Sequence, residues 1–500
     1  MRKSLIAQSV AALIAGLGMV GGAHAIQTPG GATAEALVVN TDGVGHINIV
    51  PYYSAHAGNA TNINIVNSDM VNGKALKVRF RGAGNSDDVF DFTLLMSPGD
   101  VFAFAVSGDG ATAPKVTASD KTCTLPNNIG GRSFVLDRLS PKLSTAEKAA
   151  QASEGYVEIL TMADIDMSHN LGTAIKHVNG VPLNCTTANA AIAALLTNVA
   201  DETAAALKGL LPPTTGLFTN WTIINVENAT TFSGAATAIE GRDSTGVAGA
   251  GNVVFFPQTA AKIVDMGYDV ADYTSDPLIV GGSVVAASYD FPDLSTPYVT
   301  GSADPSDQAA EVSGALEVVA VANEFVTDPS IGARTDWVFS SPTRRYSAAV
   351  KYGAGNVADV AVFNAGLTTY YTADNTNLIG GKLCVENILP SVVGDREERF
   401  AEETGDFVIS PGTPAEPESL CGEVSVLTFN NASPLLGASV ANFDLQTGYT
   451  DGWVRLNTPG AAMGRGLPVI GYAAMEVVNG NVNGAVANYG LTFPHRVTRP

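Results

Sequence analysis

HINIVPYYSAHAGNATNINIVNSDMVNGKALKVRFRGAGNSDDVFDFTLLMSPGDVFAFAV, residues 46–106, is the stretch that decides the fold. It contains five short segments in which apolar and polar residues alternate, and turn-forming residues such as Asn72-Gly73 separate them. A period of two places apolar side chains on one face of a strand. The alternating apolar residues are Ile47 and Ile49; Ile63 and Ile65; Leu76, Val78 and Phe80; Phe90, Phe92 and Leu94; and Phe102, Phe104 and Val106. The stretch therefore predicts an antiparallel meander that forms half of a β-sandwich.

The third segment also carries a basic stripe, which consists of Lys77, Arg79 and Arg81 on the face opposite its apolar residues. A group of acidic residues follows at the next turn: Asp87, Asp88 and Asp91. Opposite charges on neighbouring strands stabilise a sheet when they face each other. Two interpretations follow: either the stripe pairs with these aspartates within the chain, or it meets an acidic neighbour in an assembly.

The composition is acidic and poor in charged residues. The 500 residues include 27 basic and 48 acidic ones, for a net charge of −21, and charged residues make up only 15% of the chain. Such a surface repels nucleic acid and anionic membranes, so we expect no nucleic-acid partner. The 52 glycines suit a chain with many turns. We predict a mainly β protein made of antiparallel β-sandwich domains, of immunoglobulin-like type, with a helical insertion.

The N-terminus has the three parts of a secretory signal peptide. Arg2 and Lys3 are followed by an apolar run and by the small-residue motif Ala23-His24-Ala25. We predict cleavage after residue 25 and export to the cell surface or the extracellular medium. Later in the sequence no 18 consecutive residues are apolar, so no further membrane helix is expected.

Four cysteines occur in the chain: Cys123, Cys185, Cys384 and Cys421. None of them forms a C-x-x-C motif, which argues against a zinc or thioredoxin-like site. Export favours disulfides, and four cysteines allow three connectivities, of which sequential pairing is the simplest. Four free thiols are the alternative.

The order of patterns predicts the domain boundaries. After the signal peptide we expect an N-terminal sandwich part over 26–140 and a helical insertion over 141–215. The clearest helix of that insertion spans 187–211 and ends at Pro212-Pro213. A central β-rich domain over 216–393 precedes an acidic loop or linker over 394–420. C-terminal strands over 421–500 are expected to complete the sandwich.

Calcium is the metal that the aspartates would suit, since Ca²⁺ takes oxygen ligands from loops. The candidate ligands are Asp87, Asp88, Asp91, Asp290 and Asp293. No EF-hand loop supports the site, and pairing of the first three with the basic stripe is the competing interpretation. No other cofactor is expected.

No catalytic motif occurs in the sequence. The five histidines outside the signal peptide are His46, His56, His169, His177 and His495, and none has metal-ligand spacing. There is no G-x-S-x-G elbow and no phosphate-binding loop. Carboxylate pairs are common, but a glycosidase needs two of them across a cleft. Tyrosine pairs occur at 52/53, 289/298 and 370/371, and packing in a core or a turn explains them better than sugar binding does.

Residues 58–104 and several later phrases resemble exported surface-layer-like proteins of Gram-negative, especially β-proteobacterial, bacteria, some of which coat cells or sheathe vesicle tubes. The later phrases are ASEGYVEILTMADI (152–165), SYDFPDLSTPY (288–298), ARTDWVFSSPTRRY (333–346), GDREE (394–398), LPVIGYAAMEV (467–477) and YGLTFPHR (489–496). The resemblance implies a structural role and transfers no catalytic residue. The chain lacks surface-layer homology repeats and a sorting tail, so the resemblance does not specify how it attaches.

The leading hypothesis is a non-enzymatic structural protein that self-assembles into a surface layer or sheath. Its expected partners are further copies of the chain, together with outer-membrane lipopolysaccharide or envelope glycans. Two alternatives stay open. A secreted adhesin or carbohydrate-binding sandwich would show clustered exposed aromatic residues, and a secreted hydrolase would bring two distant acids together in a deep cleft.

Overall fold

The computed structural model describes residues 26–28, 31–194, 205–255, 278–280, 282–286, 292–300, 304–400, 418–430, 436, 440–482 and 485–500. The predicted signal peptide lies outside these residues.

The strands of the first half are β1 (Ile26–Thr28), β2 (Ala36–Val39), β3 (Ile47–Ser54), β4 (Asn59–Asn67), β5 (Gly73–Gly82), β6 (Asp88–Met96), β7 (Val101–Ser107), β8 (Lys115–Thr117), β9 (Cys123–Leu125), β10 (Glu154–Ile165), β11 (His177–Val178), β12 (Val181–Pro182), β13 (Leu210–Leu211), β14 (Leu217–Asn225), β15 (Thr230–Ala235), β16 (Thr237–Arg242) and β17 (Val253–Phe255). Those of the second half are β18 (Leu278–Val280), β19 (Ser283–Val285), β20 (Glu317–Val318), β21 (Ala320–Val326), β22 (Arg334–Ser340), β23 (Ala348–Lys351), β24 (Val360–Phe363), β25 (Thr376–Ile379), β26 (Lys382–Asp395), β27 (Glu418–Cys421), β28 (Val424–Phe429), β29 (Val440–Phe443), β30 (Asp451–Asn457), β31 (Leu467–Pro468), β32 (Ile470–Val482), β33 (Ala485–Pro494) and β34 (Arg496–Thr498). The helices are α1 (Thr145–Ala152), α2 (Asn170–Ile175), α3 (Cys185–Ala194) and α4 (Pro305–Leu316), with 3₁₀ turns at Pro329–Ile331 and Arg344–Tyr346.

The first sandwich consists of two antiparallel sheets. One follows the order β2-β16-β3-β10-β5-β6-β9, with β13 added beside β10, and the other follows β15-β14-β4-β7-β8. Their facing side chains include Ile63 and Ile65 from β4 and Val78 and Phe80 from β5, all of them 0% exposed. The mainly β class and the antiparallel sandwich are therefore confirmed.

The predicted meander is wrong in its strand order. The opening stretch forms β3 to β7, but β4 and β7 pair in one sheet while β3, β5 and β6 belong to the other. It therefore supplies both layers of the sandwich rather than one. Alternation specifies which face of a strand is apolar, but it does not specify which strand lies beside it. Here β10, far along the chain, inserts between β3 and β5.

The second sandwich is built from the order β25-β26-β30-β21-β34, with β27 beside β26, and from β29-β28-β22-β32-β33. The latter sheet is buried on both faces. Trp337 of β22 packs in the second core, whereas its neighbour Val338 packs in the first core. The ring centroids of Trp221 and Tyr472, which come from different sandwiches, lie 4.7 Å apart. One sheet thus contributes to two cores.

The helical prediction is correct only in part. Helix α3 covers Cys185–Ala194, residues 195–204 lie outside the described chain, and Leu210–Leu211 is the strand β13 rather than helix. Leu210 is 0% exposed and pairs with Ile165 of β10, so tertiary packing overrides the helical propensity of leucine.

The segment 141–215 also contains β10, which is an interior strand of the first sandwich. In the segment 394–420, Gly394 and Asp395 end β26, and 418–420 belong to β27. From the segment 421–500, β30 and β32 are interior strands of the second sandwich. These positions place distant parts of the chain side by side in each sheet.

Candidate functional site

The basic stripe pairs within the chain. Lys77 Nζ lies 3.1 Å from Asp91 Oδ2, and Arg79 contacts the carboxylates of Asp91 and Asp88 at 3.3 and 3.5 Å. The side chains of Lys77, Arg79 and Arg81 are 5%, 4% and 0% exposed, so they cannot meet a neighbouring molecule. The first of the two interpretations is therefore correct for Lys77 and Arg79, with β5 and β6 in the register that brings Arg79 opposite Asp91.

Arg81 has a different partner, which the sequence did not indicate. Its Nε lies 3.6 Å from Glu158 Oε1 on β10, and both side chains are 0% exposed. Burial raises the pKa of Glu158 to about 7, although Arg81 and Arg345 lower it. Glu158 thus holds its proton far more tightly than an exposed glutamate does.

The second sandwich contributes further charges to the same buried layer. Arg345 Nη1 donates to Asp293 Oδ2 at 2.9 Å, and Arg344 Nη2 lies 2.8 Å from Glu423 Oε2. All four side chains are at most 2% exposed. We call this set, Arg81, Glu158, Asp293, Arg344, Arg345 and Glu423, the buried charge layer. Since water hardly reaches it, its chemistry is that of a contact between two sandwiches, not of a ligand site.

The predicted calcium ligands have other partners. Asp87 accepts a hydrogen bond from the Tyr352 hydroxyl at 2.7 Å, and Asp293 binds Arg345. Asp88 and Asp91 bind the basic stripe, and Asp290 lies outside the described residues. Within the described ranges, no group of three or more His, Cys, Asp or Glu residues is placed to hold a metal ion. The structure tests no calcium binding, so the calcium hypothesis stays a prediction.

His46 is buried and His495 is partly exposed, and both are neutral. Burial lowers the pKa of His46 and of His495 to about 3. His46 Nδ1 accepts a hydrogen bond from the Gly241 amide at 3.1 Å, and His169 caps α2 by accepting from the Leu171 amide. These contacts are structural, as an isolated histidine in a core usually is.

One pair of carboxylates does converge at the surface of the first sandwich. Asp100 and Asp120 both accept from the Thr122 hydroxyl, at 3.2 and 2.8 Å, and His177 Nε2 lies 3.8 Å from Asp100. Burial raises the pKa of Asp100, and Asp120 raises it further. The adjoining groove has a volume of ≈ 240 Å³ and is lined by Phe102, Ala118, Asp120, Lys121, Thr122, Thr124, Asn127, Asn128 and Ile129. Sequence spacing gave no sign of this pair, since the two acids come from different loops.

Both disulfides follow the sequential pairing. Cys123–Cys185 joins β9 to α3, and Cys384–Cys421 joins β26 to β27, so no cysteine is free. Disulfides persist where the environment is oxidising, which points to a compartment outside the cytoplasm. Among the described residues, no helix combines the length and apolar character needed to cross a membrane.

Large apolar side chains are exposed on two turns and a short hairpin at one end of the first sandwich. We call this set the end patch: Met70, Val71, Val101, Val178, Val181 and Leu183, each between 44% and 75% exposed. Met70 Sδ lies 3.3 Å from where a Cβ on Gly99 would be, and Ser97 of the same turn contacts His177 at 3.0 Å. His177 precedes Val178, so the β4–β5 turn and the β11–β12 hairpin adjoin across the 97–101 turn.

The aromatic residues divide clearly between core and surface. The tyrosines of the sequence pairs that the structure describes, Tyr52, Tyr53, Tyr298, Tyr370 and Tyr371, are at most 7% exposed. The core interpretation of these tyrosines is therefore confirmed, while Tyr289 lies outside the described residues. The sequence did not single out the combination of Phe400 and Trp453, which are 52% and 38% exposed and adjoin over Gly394.

Comparison of the chain with protein-family models, with curated proteins and with solved structures finds no match.

Proposed function

We propose that the chain is a structural cell-surface protein that self-assembles into a surface layer or sheath. The end patch is the observation that carries this proposal. Several large apolar side chains exposed at one end of a domain favour a protein–protein contact there, because water disfavours their exposure.

We propose that a second copy of the chain binds the end patch. The end patch is formed by turns and a short hairpin at one end of a sandwich, so it can meet a different surface of a neighbouring molecule. Such a heterologous contact does not close on itself and propagates into a sheet or tube. The resemblance to surface-layer-like proteins supports the same function, as do two disulfides that brace the subunit.

Negative-stain electron microscopy of the purified mature protein tests the proposal. We expect sheets or tubes, and comparison with and without Ca²⁺ shows whether the cation bridges acidic faces. A protein that stays monomeric under both conditions contradicts the proposal.

A pair of variants locates the contact. Met70→Ser/Val71→Ser removes two members of the end patch, and we expect it to abolish ordered assembly while the thermal midpoint of the subunit stays unchanged. The matched control is Met463→Ser/Val357→Ser, since Met463 and Val357 are 101% and 64% exposed in loops of the second sandwich. Assembly by the end-patch variant, or its loss in both variants, would exclude the end patch as the contact.

A further inference from the structure

The outer face of the second sandwich carries two arginines without ion pairs. Arg455 on β30 and Arg496 on β34 both lie opposite Ala322 of β21, which stands between them. Neither arginine forms an ion pair with any residue that the structure describes. Directly opposed residues share a face of the sheet, so both guanidinium groups emerge from the outer face. Strand spacing puts their Cα atoms about 10 Å apart.

The inner and outer faces of β30 are distinguished by burial. Val454 and Leu456 are 0% exposed and pack in the second core, so Trp453 and Arg455 point outward. Trp453 lies two residues from Arg455, which corresponds to about 7 Å along the strand. An aromatic ring and a cationic group therefore stand side by side on one open surface.

Phe400 extends the aromatic part of this face. Its ring carbon Cε1 lies 3.0 Å from where a Cβ on Gly394 would be, and Trp453 Nε1 lies 3.3 Å from the same point. A side chain on Gly394 would separate the two rings, so glycine there allows them to adjoin. Ala322, which stands between the two arginines, has a small side chain and leaves the space between them open.

From this arrangement we propose that the face formed by Trp453, Phe400, Arg455 and Arg496 binds an acidic polysaccharide. The exposed rings pack against the apolar face of a sugar ring. The unpaired guanidinium groups bind carboxylates along the polymer, for which their planar donor geometry is suited. Arg455 and Arg496 are the basic residues of this face and an anionic partner complements them, while Glu324 faces outward opposite Trp453.

The same combination of rings and arginines could stack nucleotide bases, so the competing ligand class is single-stranded nucleic acid. The overall negative charge opposes that class, because a long phosphate chain would meet a repulsive field beyond the two arginines. A carboxylated sugar polymer meets the same field, and contact of its sugar rings with both aromatic rings is what favours it.

Trp453 provides the reporter for a binding experiment on the intact protein. Of the three tryptophans, Trp221 and Trp337 are 1% and 0% exposed, so iodide quenching of fluorescence reports mainly on Trp453. We expect polygalacturonate to protect the emission from iodide at low salt, and high salt to weaken this protection. Neutral dextran is expected to give no protection at equal mass concentration.

Isothermal titration with variants completes the test. Trp453→Ala and Arg455→Gln/Arg496→Gln are each expected to weaken polygalacturonate binding at least tenfold. The matched controls Tyr489→Ala and Arg132→Gln remove an exposed ring and an exposed arginine elsewhere, and they should bind normally. All of these side chains are at the surface, so we expect unchanged thermal midpoints.

Several outcomes would overturn the inference: no binding of polygalacturonate, unchanged affinity in the variants, or equal affinity for polyglutamate, which has carboxylates without sugar rings. Equal or tighter binding of an oligothymidylate would assign the face to nucleic acid instead. The proposal does not depend on self-assembly, because the polymer can be titrated against the assembly-deficient Met70→Ser/Val71→Ser variant.

Discussion

Glu158 shows how a single buried residue makes stability depend on pH. Its ordinary pKa is 4.5 and its pKa in the fold is about 7, because burial disfavours the carboxylate. The folded state therefore binds a proton that the unfolded state releases between pH 4.5 and 7. The stability that this proton contributes is fully present below pH 4.5 and is lost as the pH rises through 7.

The variant Glu158→Gln mimics the protonated side chain. We expect the wild type to lose stability relative to this variant as the pH rises from 4.5 to 7, as measured by urea unfolding at each pH. A constant difference between the two proteins across this window would contradict the raised pKa.

His495 makes stability depend on pH in the opposite direction, because its pKa is lowered rather than raised in the fold. The Val338 carbonyl lies 2.9 Å from Nε2 and can only accept, so Nε2 carries the hydrogen, and Asn323 Nδ2 donates to Nδ1 at 3.0 Å. The imidazole packs between Trp337 and Phe339, with ring centroids 5.3 and 4.9 Å away, and the resulting loss of water contact lowers its pKa to about 3. A proton on Nδ1 would break the hydrogen bond that Nδ1 accepts from the Asn323 side-chain amide, and it would place a positive charge between the two aromatic rings.

The unfolded chain takes up that proton as the pH falls below 6.5, whereas the folded chain does so only near 3. The stabilising effect is thus present above pH 6.5 and is lost toward pH 3. We expect the wild type to lose stability relative to His495→Gln over this range, measured by thermal unfolding. Equal slopes for the two proteins would mean that His495 titrates normally.

At the scale of elements, two glycines occur for different reasons: one lies where two backbones approach closely, and the other lies in an uncrowded part of a helix. A Cβ on Gly155 of β10 would lie 1.8 Å from the Arg81 carbonyl oxygen on β5. Gly314 of α4 has only the Tyr370 hydroxyl nearby, at 3.9 Å. The strand glycine is therefore required by close approach of two backbones, and the helical one is not.

Substituting alanine at each position gives opposite results. We expect Gly155→Ala to disturb the pairing of β10 with β5 and to lower the free energy of unfolding by about 3 kcal/mol, because the backbone must shift to admit the Cβ. Gly314→Ala should raise the free energy of unfolding by about 0.5–1 kcal/mol, because alanine has a higher helix propensity than glycine. Denaturant titration measures both, and destabilisation at Gly314 would contradict the open environment.

At the scale of the whole molecule, the sheet shared by both cores makes the two sandwiches one folding unit. Its strand β22 buries Val338 in the first core and Trp337 in the second, and in the buried charge layer Arg345 of the second half lowers the pKa of Glu158 in the first half. If this sheet unfolded with one core, the apolar side chains of the other core that pack against it would be exposed to water.

Calorimetry tests this coupling with one truncation in each core. Val78 and Val350 are both 0% exposed, in the first and second core respectively. We expect a single thermal transition that Val78→Ala and Val350→Ala each shift downward, through a loss of about 2 kcal/mol of apolar burial. Two transitions, each responding to one variant, would show that the sandwiches unfold independently.

The sequence by itself determined the local properties of the chain. Alternation assigned the apolar faces of β3 to β7 to the core, although the opposite faces of β3 and β5 are buried as well. It also specified the mainly β class and made sequential cysteine pairing the simplest of three choices. The sequence offers the pairing of Arg79 with Asp91 as one of two interpretations, and the register of β5 with β6 decides for it.

Only the tertiary structure decided which distant segments meet. The insertion of β10 between β3 and β5, the Arg81–Glu158 contact and the face that joins Arg455 to Arg496 all depend on strand order. Strand order minimises the free energy of the whole chain, to which backbone pairing and packing contribute across hundreds of residues. A pattern within one stretch of sequence carries no information about distant strand partners. The end patch and the acidic-polysaccharide face could therefore be identified only from the fold.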